Sequence, residues 1–386
     1  MTQELMGDFG ISAAALGNLS AFYFYGYVAM QVPTGLLADA WGPRRLLTAG
    51  ALGAALGAVI FALAQDLWWA SLGRLLIGSS VAVAFVVLLK LNVHWFPARR
   101  FAMLSGLAVL FGVLGAVTAG EPLRRLIDAF GWRPVTLASG LLTLGIAAVT
   151  WLHVRDDPAA RGFASFAPSA QPGRPRAAQA PRVGVWTGLG RIFRHRNLWI
   201  LSLAPGGMTG PVLAFAGLWG VPFLQARFGL SREEGARMCS LLMVTWAVAG
   251  PLLGLWSERL GRRKPLYLGG AVVACLGWVA LIYLPGLPLW LFAVVLGLVG
   301  AANGGMIIGF AFAKESAPPS LAGTVSGAVN MGVMLGATLL QPGIGWVLDR
   351  HWTGGLVDGI RVYELAAFQA GFSLMLGWAV LACLLL

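Results

Sequence analysis

The chain has 386 residues, of which 58% are hydrophobic and only 11% charged, and its mean hydropathy is +0.78. A soluble domain carries roughly 25% charged residues, so this balance excludes an ordinary soluble enzyme, a disordered chain and a nucleic-acid-binding domain. All 15 carboxylates fall between apolar runs or at their ends, as expected of a polytopic membrane protein in which charge within the bilayer is costly. The net charge of +12 is accordingly read as loop charge on one membrane side rather than as affinity for an acidic partner. Cys239, Cys275 and Cys383 lie in apolar stretches and offer neither a disulfide framework nor metal-ligand spacing. No metal or cofactor is expected. Met1–Gly10 has no apolar core of the kind a cleavable signal peptide needs.

Taken in chain order, eleven apolar stretches are long enough to cross the membrane: 13–38, 46–64, 67–95, 101–120, 133–153, 198–225, 235–256, 265–284, 287–313, 320–347 and 365–386. About 20 residues of helix span the hydrocarbon core, and lipid offers the backbone no hydrogen-bond partners, so each must be a helix. Between the fifth and sixth lies Arg155–Asn197, with five prolines and eight arginines. It is expected to be a basic, largely disordered linker, with a short interfacial helix over 190–197. The expected organisation is an N-terminal bundle over 1–153, a linker over 154–197 and a C-terminal bundle over 198–386.

Loop charge gives the orientation. Alternating loops place 17 of the 27 Lys and Arg on the linker side and nine on the other, with Lys90 inside a span. The linker and the C-terminus are therefore expected in the cytoplasm, and the membrane is expected to be a bacterial inner membrane.

The two halves repeat. The segment from Gly35 to Arg45 is matched by Gly254 to Lys264, 219 positions later, and 102–106 is matched by 323–327, 221 positions later. Duplicated halves are a transporter architecture. The same offset places the counterpart of the span starting near Leu198 before residue 1, so the first half is expected to lack its opening helix, with Met1–Ile11 as the loop that would follow it.

These residues resemble the major facilitator superfamily. Gly35-x-x-x-Asp39-x-x-Gly42-x-Arg44-Arg45 is similar to the signature loop between that superfamily's second and third helices. Gly254, Glu258, Gly261, Arg262 and Arg263 form its weaker copy, and Gly73-Arg74 through Gly78 resembles the fourth-helix motif. The resemblance covers essentially the whole chain and implies an all-α fold of two pseudo-symmetric bundles, here family helices 2–12. It also implies a cytoplasmic latch in which Asp39 faces the N-terminus of the helix that starts near Ser320, closed when the cavity faces outward. Physically, Gly35 permits close helix approach, a carboxylate stabilises a helix N-terminus, and Gly42 permits the turn.

Several residues are candidates for substrate or coupling contacts. Arg74 lies one to two turns inside its span, where it either serves anion or proton chemistry, as the resemblance implies, or snorkels to outer headgroups. Lys90, followed by Asn92, either pairs with a substrate carboxylate or snorkels inward. Glu121 is the most membrane-proximal outer carboxylate, read either as a coupling group that pairs with Arg74 or as a solvated end residue. Tyr23, Tyr27, Gln31, Trp219, Asn303, Asn330 and Gln341 are polar or aromatic residues within spans; the amides are the better candidates, because a buried amide needs a partner.

No Gly-x-x-x-x-Gly-Lys-Ser/Thr segment occurs, so ATP does not drive transport on this chain, and no catalytic triad spacing marks an enzyme. The reading is a monomeric secondary transporter of a small anionic or zwitterionic solute such as an organic acid or small peptide, with lipid and a coupling proton as its other partners. The alternative is a non-transporting sensor or partner protein of the same fold, or an inactive fragment.

Overall fold

The computed structural model describes residues 2–97, 104, 107–108, 111–112, 114–115, 118–166, 196–315, 322–357 and 359–386. Almost everything described is helix: α1 (Thr2–Phe9), α2 (Ala13–Trp41), α3 (Pro43–Leu63), α4 (Leu67–Val81), α5 (Val83–Trp95), α6 (Glu121–Phe130) and α7 (Trp132–His153). After the linker come α8 (Arg196–Ala214), a π-turn (Phe215–Trp219), α9 (Gly220–Phe228), α10 (Arg232–Leu260), α11 (Arg263–Tyr283), α12 (Leu289–Asn303) and α13 (Met306–Glu315). The chain ends with α14 (Ala322–Arg350), a two-stranded ribbon of β1 (Leu356–Val357) and β2 (Ile360–Arg361), and α15 (Leu365–Leu385).

Among the described residues nine helical segments are long and apolar enough to cross a membrane. The eleven expected spans differ from these in two places. Residues 101–120 lie largely outside the described residues. The stretch 13–38 is helical within the 29-residue α2, but Asn18, Ser20, Gln31 and three tyrosines make it less apolar than the others. Three expected spans carry a break. Ala82 separates α4 from α5, Gly304 and Gly305 separate α12 from α13, and a π-turn separates α8 from α9.

Two expectations are corrected. Residues 2–9, read as loop, form α1, which buries Leu5 and Met6. The head of the linker is ordered: the Asp157 side chain accepts the Ala159 amide at 2.8 Å and starts a 3-10 turn over Pro158–Arg161. The helix expected over 190–197 lies mostly outside the described residues.

The chain forms two compact units. One comprises 25–112 and 133–191. In it α3 and α4 meet at Gly57 and Gly73, where a Cβ on either glycine would stand 2.8–2.9 Å from the other's carbonyl oxygen. Small residues at a helix crossing let two backbones approach within the bilayer. α7 exposes Leu141, Leu142, Ile146, Val149 and Leu152, the apolar face expected toward lipid.

The other unit comprises 1–24, 113–132 and 192–386. α8 crosses α14 at Gly210 and Gly336, where a Cβ on Gly210 would lie 2.7 Å from the Gly336 Cα. Its core is aromatic: Phe215 packs on Phe223, Trp278 and Phe372, with ring centroids 5.3–5.8 Å apart. Arg227 closes α11 by donating to the carbonyls of Leu281 at 2.8 Å and Ile282 at 3.0 Å.

Candidate functional site

The signature loop is built by the end of α2 and the start of α3. The α2 backbone is helical through Gly35 and Asp39; the Asp39 side chain lies outside the described residues. Gly42 has φ +84° and is the N-cap of α3, followed by Pro43 at the first helical position. Proline suits that position because its missing amide would go unpaired there. A glycine cap supplies no side-chain acceptor, so the next amide needs one from elsewhere. Asp156 provides it: the Arg44 amide donates to Asp156 Oδ1 at 2.6 Å. A Cβ on Gly42 would lie 2.5 Å from Asp156 Oδ2, so the glycine serves the carboxylate's approach as well as the turn. The Arg44 guanidinium stacks 4.0 Å above the Trp151 ring and donates through Nε to the Trp151 carbonyl at 2.8 Å. Arg45 is exposed.

The neighbouring end of α5 belongs to the same cluster. Lys90 Nζ donates to the Ala38 carbonyl at 2.6 Å, near the C-terminus of α2, where a cation is favourable. Asn92 is buried, and its Nδ2 has no partner among the described residues. His94 Nδ1 stands 3.3 Å from Asp157 Oδ2, and the Trp95 indole donates to the Arg155 carbonyl at 2.9 Å. Burial pushes the Asp157 carboxyl up, but the Ala159 amide, the Ser165 hydroxyl and His94 outweigh it and hold it below the usual carboxylate range.

The weaker copy has a different set of contacts. Gly261 caps α10 at φ +63°. Arg263 donates to Glu315 Oε1 at 2.8 Å and to the Ser257 hydroxyl at 3.1 Å. Glu258 and Arg262 are exposed, and a Cβ on Gly254 would lie 3.5 Å from the Ile307 side chain.

At the other ends of the helices, in the larger unit, charged residues form a network. Glu121 pairs with Arg125 and, at 2.9 Å, with Arg237. Glu233 bonds Arg125 at 2.7 Å and Arg237 at 2.5 Å, which closes a ring of two carboxylates and two guanidiniums. Beside it Arg124 bridges Asp128 and Glu4, the latter at 2.6 Å, and Glu4 also takes Arg232 at 2.8 Å. Burial raises the Glu4 carboxyl, but the Arg124 guanidinium counters it, and the group lies at about 2. In the sequence Glu121 alone of this group stands out; the other members, each an unremarkable loop or helix-end charge, carry no signal.

The remaining candidates are distributed through the helices. Arg74 is half-buried on α4, directly after the Gly73 crossing. Tyr23 packs edge-on against Phe24 with centroids 5.1 Å apart; Tyr27 and Asn330 are half-buried and Gln31 is buried. Trp219 is buried at the π-turn, and its indole donates to the Gln341 carbonyl at 3.0 Å, while Gln341 Nε2 donates to the Leu213 carbonyl at 3.2 Å. Asn303 is fully buried, with Nδ2 on the Val299 carbonyl at 2.7 Å. Gln341 Oε1 and Asn303 Oδ1 have no partner among the described residues. The structure thus ties Trp219 to Gln341 and Lys90 to the α2 terminus, and it places Glu121 among arginines of α6 and α10.

A sequence profile of the Major Facilitator Superfamily matches residues 1–341 and 208–386. The gallate transporter of Pseudomonas putida is 24% identical over 346 residues, covering 86% of this chain and 76% of that protein. The membrane sensor protein UhpC of Salmonella typhimurium is 23% identical over 394 residues, covering 97% and 84%. A solved bacterial homolog of the human lysosomal transporter Spinster superimposes with a TM-score of 0.76 at 19% identity, covering 100% of this chain and 90% of that one.

Proposed function

The chain belongs to the Major Facilitator Superfamily, and on that premise we propose that this multi-pass membrane protein is a secondary transporter of a small organic anion or zwitterion. It works by alternating access of two halves, 1–153 and 198–386, joined by the cytoplasmic linker 154–197. It acts as a monomer in the bacterial inner membrane with its C-terminus in the cytoplasm. The observation that carries the reading is the family match across the whole chain. The similarity to a gallate transporter and the guanidinium of Arg74, held half-buried in an apolar helix, favour a carboxylate as substrate. A charge at such depth is costly unless protein partners, a ligand or a wet cavity offset it.

Lys90 leaves the list of substrate contacts, because the Ala38 carbonyl takes its ammonium. Asn303 and Gln341 line the solute path in the second half, each with a buried amide oxygen that has no partner among the described residues. Glu121, held between Arg125 and Arg237, is the coupling candidate. The similarity to UhpC favours a second reading, a sensor that binds the same class of solute without moving it. Uptake by proteoliposomes from a panel of radiolabelled aromatic and hydroxy carboxylates, with and without an imposed proton gradient, separates the two. A transporter accumulates a panel member, and Arg74→Gln raises its KM. A sensor leaves every flux at the level of empty vesicles.

A further inference from the structure

Asp349 is the last acidic residue of α14, one residue before its C-terminal end. Its carboxylate accepts the first two amides of α2, from Ala13 at 3.1 Å and Ala14 at 2.8 Å. The next amide, Ala15, is served at 3.4 Å by the Ser12 hydroxyl. The Tyr363 hydroxyl donates to Asp349 Oδ1 at 2.7 Å and itself accepts the Ala13 amide at 3.2 Å, while Arg361 approaches the same oxygen at 3.3 Å. The first two amides of α2, from one sequence half, are therefore capped by an aspartate from the other half, and the third by its own Ser12. The two helices also touch backbone to backbone. A Cβ on Gly17 would lie 2.8 Å from the Pro342 Cα, and one on Gly345 would lie 2.7 Å from the Ala13 carbonyl carbon. Only glycine at both positions leaves the carboxylate within reach.

We infer that Asp349 is the positioning residue of an outer latch that holds α2 against α14 and must open whenever their outer ends part. The inference rests on the proposed alternating access. Three features make the contact a latch rather than ordinary packing. It joins the two sequence halves. It uses charge-assisted bonds to a helix N-terminus, which are strong while formed. Its donors are two main-chain amides, the Tyr363 hydroxyl and the Arg361 guanidinium, which water can serve once the contact parts, so opening leaves no polar group stranded. The pseudo-repeat supports it. Ser12 corresponds to Ser231, and Asp349 to Asp128, 219 and 221 positions apart. At the equivalent place Asp128 reaches the start of α10 through Arg124, Glu4 and Arg232. Both helix starts are thus tied to the opposing half, one directly and one through a chain of charges.

The test uses spin labels on exposed outer residues, Gln65 of the first half and Leu356 of the second, in the full chain reconstituted in nanodiscs. The separation distribution is read by pulsed dipolar spectroscopy without substrate. Asp349→Ala is expected to raise the odds of the longer separation about tenfold, since bonds to a charged acceptor are the stronger kind. Asp349→Asn, which can still accept one amide, and Tyr363→Phe are expected to give smaller shifts in the same direction. If Asp349→Ala fails to fold, these two variants read the same distance pair. An unchanged distribution in folded variants overturns the latch. A shift in variants of a protein that moves no solute upholds the latch and overturns the transport reading, so the two fail separately.

Discussion

Lys90 shows how one residue type in one place supports two roles. An ammonium near the inner end of an apolar span reads equally well as a substrate contact or as a snorkelling cation. The structure gives it to the Ala38 carbonyl at 2.6 Å, a contact between residues 52 positions apart that no local pattern discloses. Lys90→Met is therefore expected to lower the maximal transport rate several-fold while leaving KM within about twofold, because it loosens the end of α2 and touches no solute. A large rise in KM with an unchanged maximal rate would return Lys90 to the substrate site. The Arg124–Glu4 pair gives a pH signature. Arg124→Gln is expected to cost about 1.5–3 kcal/mol at neutral pH, the range for hydrogen bonds to charged groups. The folded Glu4 carboxyl lies at about 2 against an ordinary 4.5. Its contribution is thus full above about pH 4.5 and is lost as pH falls toward 2. The melting-temperature gap between wild type and variant is expected to shrink between pH 5 and pH 3; a constant gap would assign the cost to packing.

At the scale of elements, span positions were legible from hydropathy because the bilayer imposes both length and helicity. The interruptions were less so. Gly304-Gly305 marks a break that composition hints at, but Ala82 and the π-turn at Phe215–Trp219 arise from tertiary contacts such as the Trp219 bond to the Gln341 carbonyl. The order at the head of the linker is hidden from composition for the same reason. Its proline and arginine content argues for disorder, yet Asp156 and Asp157 find the start of α3 and His94. Asp156→Ala removes the acceptor of the Arg44 amide and is expected to speed hydrogen exchange over residues 44–46 about fivefold, the effect of losing a helix cap worth ~1 kcal/mol. Asp157→Ala serves as the control and leaves those amides slow. Equal effects of the two substitutions would mean that the linker head docks as a block and that Asp156 has no special part.

The whole molecule follows from duplication of one helical plan. The repeat between Gly35–Arg45 and Gly254–Lys264 was visible in the sequence, and with it the family. The charge network that joins α1, α6 and α10 was not, because its members are charges at helix ends, and only folding brings Glu4 to Arg124 and Arg232. The 17-to-9 division of Lys and Arg sets the proposed orientation. A cysteine introduced within 160–180 is expected to react with a membrane-impermeant maleimide in inverted vesicles and not in intact cells; labelling of intact cells would reverse the topology. Transport itself is tested most directly by counterflow. Proteoliposomes are loaded with an unlabelled aromatic carboxylate, diluted into a trace of the labelled compound and kept free of ATP and ion gradients. A carrier that exposes one site to each side in turn is expected to draw label inward to a transient overshoot, which vanishes when the internal solute is omitted. Folded protein that gives no overshoot with any carboxylate of the panel would contradict alternating-access transport of organic anions by this chain.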